Sequence, residues 1–359
     1  MKPSLLLGAL RDPGSVRGLG LVQWDLLLRQ ADRAKLTACL ACLFDDAGVS
    51  SALPAPVDAR LEWARVAMRR HTDAVHFEVK RIQAALAGLG VPVILLKGAA
   101  YCAAGLAPAR GRLFSDIDIM VPKDRLPDAE SALLVHGWVG SAQDEYDERY
   151  YRQWMHEIPP MQHMRRQSVI DVHHAILPET ARVRPDPARL RAAAVALPGL
   201  PGVQTLAPAD MVLHSAVHLF YDGEFDNGLR DLFDLHRLLG QFGALPGFWD
   251  HLPVRAVEME LARPLLYALR YSARLFGTPV PETTVAALGS AAPNRVLMAL
   301  MDALLLRGLQ PAHASCNDSR STIARTMLYI RGNWLRMPPV LLARHLFHKA
   351  FITKNTSKA

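Results

Sequence analysis

The sequence has few cysteines, and this shortage excludes a disulfide-stabilised fold. Four cysteines in 359 residues are too few to stabilise a chain of this length by cross-linking. Cys39 and Cys42 form a C-x-x-C pair inside the apolar run at residues 36–44, but no second pair and no zinc-finger histidines accompany them. We interpret them as packed, reduced thiols, with a metal or redox role as the alternative.

Long hydrophobic runs are also missing. A membrane-spanning helix needs about 18–20 apolar residues, whereas the run at 36–44 stops at Asp45. The short apolar stretch at residues 5–7 is followed by Arg11 and Asp12, too early for the core of a signal peptide. We therefore expect a cytoplasmic protein without a transmembrane segment.

Acidic residues are absent from residues 319–359, which carry eight basic side chains. The preceding part of the chain is nearly balanced, with 33 basic and 34 acidic residues, so the net charge of +7 does not make the whole protein a nucleic-acid binder. In this tail, residues 325–336 and 341–351 mix basic with aliphatic and aromatic side chains. Such a basic amphipathic segment either packs on the protein's own helices or binds an anionic membrane surface, an acidic partner or nucleic acid.

The hydrophobic periodicity changes twice along the chain. Helical spacing predicts helical segments at 21–47 and 57–89, then again at 209–221, 229–239, 256–276 and 294–305. Between these regions, the pattern predicts strands at 91–96 and 116–121, helices at 99–105 and 123–136, and a hairpin formed by 157–164 and 168–176. The prediction is an α+β protein with a small mixed sheet, flanked by N-terminal and C-terminal helical regions. We divide it into segments 1–89, 90–180, 181–318 and 319–359.

Three acidic residues stand on predicted strands. Asp116 and Asp118 are two positions apart, so their side chains lie on one face of the strand. Asp171 occupies the second strand of the hairpin, and we expect it to join them if the two strands are neighbours. Three carboxylates of this kind hold two metal ions in phosphoryl-transfer sites, and Mg²⁺ is the ion that such oxygens prefer. The alternative is that each aspartate caps a turn or pairs with an arginine.

Candidate phosphate-binding groups lie close to these acids in the sequence. Lys97 and Gly98 follow a predicted strand, where a lysine charge and a backbone without Cβ can approach a triphosphate. Arg112 precedes the acidic pair and could bind phosphate in a bidentate manner. Solvated loop arginines and an ordinary strand-to-helix turn are the alternatives.

Several histidines offer a different chemistry. His214 and His218 are four positions apart on a predicted helix, which is metal-ligand spacing, and His173 follows Asp171. With Asp231 and Asp234 they could form the site of a metal hydrolase. The simpler interpretation is a polar seam in which these histidines bond to the two acids. His173, His214 and His218 also remain candidates for the acceptor side of a transferase.

The motifs together resemble those of the uncharacterised nucleotidyltransferase family, within the DNA-polymerase-β-like nucleotidyltransferase superfamily. The resemblance rests on the sequences around Lys97-Gly98, from 111 to 121, and around Asp171 and His173. It implies a polymerase-β-like sheet and a Mg²⁺-dependent transfer of a nucleoside monophosphate from an NTP to an acceptor. It also implies that Asp116 and Asp118 bind metal, and that Asp171 helps to bind the second metal and to activate the acceptor hydroxyl.

Two features depart from the superfamily pattern. Its usual Gly-Ser pair is Gly98-Ala99 here, and the 18-residue step from Gly98 to Asp116 is long. We predict a nucleotidyltransferase that uses two Mg²⁺ ions and an NTP, with Lys97, Gly98, Arg112 and Ser115 binding the nucleotide. The alternative is a catalytically degenerate protein that binds nucleotide or RNA and acts through partners, which the missing hydroxyl at Ala99 favours.

Overall fold

The apolar run at residues 91–96 forms the first strand of a mixed sheet. The computed structural model describes residues 4–140 and 154–338. Within these ranges the strands are β1 (Val93–Leu95), β2 (Asp116–Met120), β3 (Trp138–Gly140), β4 (Met161–His163), β5 (Val169–His173), β6 (Val195–Ala196) and β7 (Val203–Thr205). Their order across the sheet is β3-β4-β5-β2-β1-β7-β6. The predicted α+β class, with helical regions flanking a mixed sheet, is confirmed.

The centre of the sheet combines parallel and antiparallel pairs. β2 runs parallel to β5 and antiparallel to β1, while β1 runs parallel to β7. The predicted hairpin is present, because β4 pairs antiparallel with β5. The sheet also extends beyond the predicted segment 90–180 through β6 and β7, which sequence reasoning missed. Strands of two or three residues are too short to show a periodic pattern. The division into four segments stays a prediction.

The described helices precede, interrupt and follow the sheet. They are α1 (Leu5–Arg11), α2 (Leu21–Arg33), α3 (Thr37–Asp46), α4 (Ala55–Leu86), α5 (Lys97–Ala103), α6 (Leu126–Val135), α7 (Pro187–Ala192), α8 (Pro208–Tyr221), α9 (Gly228–Phe242), α10 (Phe248–Glu258), α11 (Ala262–Phe276), α12 (Glu282–Ala287), α13 (Arg295–Gly308) and α14 (Ser321–Arg336). A single cluster of buried apolar side chains extends from Leu6 to Leu328, so the helices and the sheet share a core. None of these helices combines the length and apolarity required to cross a bilayer.

Two of the predicted helical segments are each divided in the structure. Residues 21–47 form α2 and α3, because Lys35 adopts a left-handed backbone conformation with φ of 55°. Residues 256–276 lie on α10 and α11, and Glu260 between them has φ of 59°. A residue in this conformation ends an α-helix. Neither break could be predicted, since glycine is the usual residue at such a position and Lys35 and Glu260 occupy it here.

The described part of the basic tail packs on the protein itself. Leu328 of α14 is fully buried. Arg331 donates to the carbonyl oxygen of Phe220 at 2.7 Å, and Arg336 donates to Asp222 at 2.5 Å, so two of the basic side chains contact α8 and the residue after it. Packing on the protein's own helices is thus the arrangement of residues 321–336. Residues 341–351, the second predicted amphipathic stretch, lie outside the described residues.

The loop between α5 and β2 packs tightly on α3. Gly111 has φ of 82°, and a Cβ there would overlap the backbone of Cys39. Arg237 of α9 donates to the carbonyl oxygen of Arg110 at 2.8 Å on the other side. Cys39 and Cys42 are buried, free thiols, as predicted. The loop that leads to Asp116 is therefore positioned by one helix that precedes the sheet in the chain and one that follows it.

We expect Gly111→Ala to lower the free energy of unfolding by about 3 kcal/mol, because it adds a steric overlap to a left-handed backbone. Gly199→Ala is the matched control, since Gly199 has φ of 78° with open space around its Cβ position. The control should cost only about 1 kcal/mol. Urea unfolding measures both values, and equal costs would show that the contact with Cys39 is unimportant.

Candidate active site

The parallel pairing of β2 and β5 brings three carboxylates together. Asp118 lies directly opposite Asp171 in the register, and Asp116 lies opposite Val169. Asp116, Asp118 and Asp171 each offer an oxygen that lies within 4.8 Å of the others, and we call them the acidic cluster. The expectation that these side chains meet on neighbouring strands is correct.

The environment of Asp171 fits a bound divalent cation. Its Oδ1 atom is buried and has no hydrogen-bond partner in the described chain. Burial raises the pKa of Asp171 to about 7, and the negative charges of Asp118 and Glu157 add to this effect. An oxygen that is buried, without a partner and close to other carboxylates is a ligand suited to a hard cation such as Mg²⁺.

Asp118 has the opposite environment, since positive groups surround it. Its Oδ1 atom accepts hydrogen bonds from Lys97 Nζ at 3.1 Å and from His173 Nε2 at 3.0 Å. Burial would raise the pKa of Asp118, but Lys97 and His173 outweigh it and keep this pKa well below its usual value. Asp118 is therefore ionised at any physiological pH, whereas Asp171 is poised between its two forms.

A cavity of about 470 Å³ opens beside Asp116 and Asp118. The four residues predicted to bind nucleotide all line it, namely Lys97, Gly98, Arg112 and Ser115. The ring of Phe114 lies against Gly98, where a Cβ would be 2.7 Å from the nearest ring atom. Ser115 Oγ donates to Asp116 Oδ1 at 2.9 Å. We call this space the central cavity; Lys35, His218 and Arg230 also line it.

Arg112 is already paired with the protein. Its buried guanidinium forms ion pairs with Asp234 and, at 3.6 Å, with Asp231, both on α9. Burial lowers the pKa of Arg112, and the nearby Arg230 lowers it further. The two α9 acids therefore neutralise this side chain at the wall of the cavity, and a phosphate would compete with them. Phosphate binding by Arg112 stays a prediction.

Comparison with known proteins identifies the family. A family model described as an uncharacterised nucleotidyltransferase matches residues 21–277. The chain belongs to this nucleotidyltransferase family. The match runs from α2 to the end of α11, so it includes the sheet and the helices on both sides of the central cavity. Searches of curated proteins and of solved structures found no match.

Sequence reasoning missed two residues next to the acidic cluster. Glu157 Oε2 lies 3.0 Å from His173 Nδ1, so His173 bridges Glu157 and Asp118. His156, Glu157 and His173 form a second group whose ligand atoms lie within 4.8 Å of one another. Burial would lower the pKa of His173, but the two carboxylates outweigh it and raise this pKa. Glu157 and His156 belong to no recognisable motif, and only the pairing of Glu157 with His173 across the sheet reveals them.

The predicted histidine seam is not present in the form expected. His214 and His218 lie on α8, but Asp231 and Asp234 pair with arginines instead of bonding to them. Burial lowers the pKa of His214 well below its usual value and that of His218 to about 4, with Lys97 contributing in both cases. Both imidazoles are therefore neutral. Among the described residues, these four do not form a group with metal-binding spacing.

The raised pKa of Asp171 predicts a pH-dependent stability. In the unfolded chain this carboxyl has a pKa of about 3.9. The folded wild type therefore loses stability as the pH rises from about 4 through about 7, since the buried group must become charged. Asp171→Asn removes that charge. In metal-free buffer at pH 8 we expect the variant to be more stable than the wild type by about 2–3 kcal/mol, and the difference to vanish near pH 4.

Urea unfolding between pH 4 and pH 8, with a chelator present, tests this expectation. Asp124→Asn is the control, because Asp124 is exposed on the turn after β2. Added Mg²⁺ should raise the melting temperature of the wild type and of the control more than that of Asp171→Asn. A difference in stability that does not change with pH would contradict the assigned environment of Asp171.

Proposed function

We propose that this protein is a metal-dependent nucleotidyltransferase that moves a nucleoside monophosphate from an NTP to the hydroxyl group of an acceptor. One observation carries the proposal: the acidic cluster adjoins a cavity lined by four positively charged side chains. A group of carboxylates next to a cavity that carries several cationic side chains is the arrangement that phosphoryl and nucleotidyl transfer require. Membership of the nucleotidyltransferase family supports it.

Asp116, Asp118 and Asp171 would bind the metal ions, with Mg²⁺ as the expected ion and two as the expected number. Bound Mg²⁺ supplies charge neutralisation at the transferring phosphate and a more acidic acceptor hydroxyl. Asp118 would use its Oδ2 atom, because Lys97 and His173 already contact Oδ1. Asp171 Oδ1 is free of hydrogen bonds, so it can ligate a cation without losing a contact within the described chain.

The donor nucleotide would occupy the central cavity. Lys97 and Gly98 would bind its phosphates, and Ser115 would orient them through Asp116, to which its hydroxyl donates. The close packing of Phe114 on Gly98 keeps this wall of the cavity in one position. Catalysis would then depend on positioning and on electrostatic stabilisation of the transferring phosphate.

The acceptor would approach from the side of Asp171. His173 contacts Asp118 and Glu157, so it would hold the Asp118 side chain in position within the acidic cluster. His218 lines the central cavity as a neutral imidazole. It can therefore donate a hydrogen bond to a substrate hydroxyl or accept one from it. His214 is buried beside it and would act only by supporting this arrangement.

Label transfer from an NTP tests the proposed reaction. Each NTP, labelled at the α-phosphate, is incubated with Mg²⁺ and with fractions of a host lysate as the source of acceptor. We expect labelled product and released pyrophosphate with the wild type. Asp116→Asn and Asp118→Asn should reduce both by about 10³-fold or more, because each removes a metal-binding charge. Asp124→Asn, which changes an exposed acid on the turn after β2, is the control and should keep full activity.

Two outcomes would argue against the reaction. Equal labelling by the wild type and both aspartate variants would exclude the acidic cluster as the source of the chemistry. Calorimetric binding of an NTP without any label transfer, with Mg²⁺ or Mn²⁺, would favour the alternative of a nucleotide-binding regulatory protein. Such a result would be attributed to Ala99, which is buried and stands where the resembled superfamily usually has a serine.

A further inference from the structure

Three of the four positive side chains around the central cavity already have acidic partners. Lys97 contacts Asp118, and Arg112 is paired with Asp234. Arg230 Nε donates to Asp231 Oδ1 at 2.9 Å. Each of these cations would have to share or leave a carboxylate in order to bind a phosphate. Their charges are largely neutralised before any ligand arrives.

Lys35 differs from these three cations. It is exposed, and it lines both the central cavity and a second cavity of about 410 Å³ that shares His218, Asp222 and Arg230 with the first. Within the part of the chain that the structure describes, its ammonium group has no ion pair and no hydrogen bond. Lys35 therefore brings to the cavity a positive charge that forms no ion pair with a carboxylate of the described chain; Asp222, which lines both cavities with it, is paired with Arg336.

The backbone at this position favours glycine over lysine. Lys35 follows the last turn of α2 with φ of 55°, and the amide of Leu36 donates to the carbonyl oxygen of Ala31 at 2.8 Å, which closes the end of the helix. Glycine adopts this conformation without the steric cost that a Cβ brings. The ammonium group of Lys35 forms no ion pair within the described chain, so neither the backbone conformation nor an internal ion pair accounts for a lysine here.

The turn that carries Lys35 is firmly positioned. Ala31, Ala34 and Leu36 around it are all buried in the shared core. The α-carbon of Lys35 is therefore fixed relative to the cavity while its ammonium group remains solvated. A fixed point charge at the edge of an anion-binding cavity is the usual manner in which lysine binds phosphate.

We propose that Lys35 binds the terminal phosphates of the donor nucleotide, so that the N-terminal helices supply part of the donor site. This inference rests on the proposed function, because it takes the central cavity to be the site of the NTP. It assigns to Lys35 a contact with the β- and γ-phosphates and none with the nucleoside or the α-phosphate. The ligand chemistry is therefore that of a linear polyphosphate.

Calorimetry with inorganic tripolyphosphate, ATP and AMP tests this assignment on the full chain in the presence of Mg²⁺. Lys35→Gly should weaken the binding of tripolyphosphate and of ATP by about tenfold and leave the affinity for AMP unchanged. The melting temperature of this variant should equal or exceed that of the wild type, because glycine relieves the left-handed backbone. Lys35→Arg should retain most of the affinity for tripolyphosphate.

Lys80→Ala is the charge-matched control, since Lys80 is exposed on α4 and lines neither cavity. An unchanged affinity of Lys35→Gly for tripolyphosphate, or an equal loss in Lys80→Ala, would overturn the inference about Lys35 and leave the proposed reaction standing. A wild type that binds neither tripolyphosphate nor any NTP would overturn the inference and the proposed donor site together. The label-transfer assay on the aspartate variants does not depend on Lys35, so the two failures are distinguishable.

Discussion

Mutual repulsion among Asp116, Asp118 and Asp171 is the constraint around which this site is built. The parallel pairing of β2 and β5 forces the three carboxylates into one small volume. The surroundings offset the repulsion unevenly, since Lys97 and His173 both contact Asp118 while Asp171 has no such partner. As a result one carboxyl is permanently ionised and the other has a pKa of about 7. Asp118 thus has its charge compensated by protein groups, whereas Asp171 keeps a buried oxygen that no group of the described chain contacts.

The helical regions position the site as much as the sheet does. The long connection between α5 and β2 carries Arg112, Phe114 and Ser115 to the cavity, and it has no regular sheet or long helix to define its path. Gly111 packs against the backbone of α3, and the carbonyl oxygen of Arg110 accepts from Arg237 of α9. The unusual length of this connection thus allows it to contact helices that are distant in sequence. These contacts give the long step from Gly98 to Asp116 a structural role.

The part of the site that could be predicted from sequence is the part defined by local periodicity. Alternation along β2 and β5 placed the carboxylates on common faces, and the strand-to-helix turn placed Lys97 and Gly98 beside them. Contacts between segments distant in sequence could not be predicted in this way. Nothing local indicates that Glu157 meets His173, or that the two acids of α9 pair with arginines and not with His214 and His218. β7 could not be predicted for the same reason, because only its pairing with β1 identifies these three residues as a strand.

Lys35 and Lys97 adopt left-handed backbone conformations and line the same cavity, yet their charges differ in availability. Lys97 offsets the charge of Asp118 as long as no metal ion is bound. In the proposed reaction, Asp118 would help to hold a metal ion, whose charge would compensate the carboxylate in place of Lys97. Lys97 would then be able to contact a phosphate, so that binding of the metal would favour binding of the nucleotide. Lys35 forms no ion pair within the described chain. Its proposed contact with a polyphosphate therefore does not depend on the binding of a metal ion.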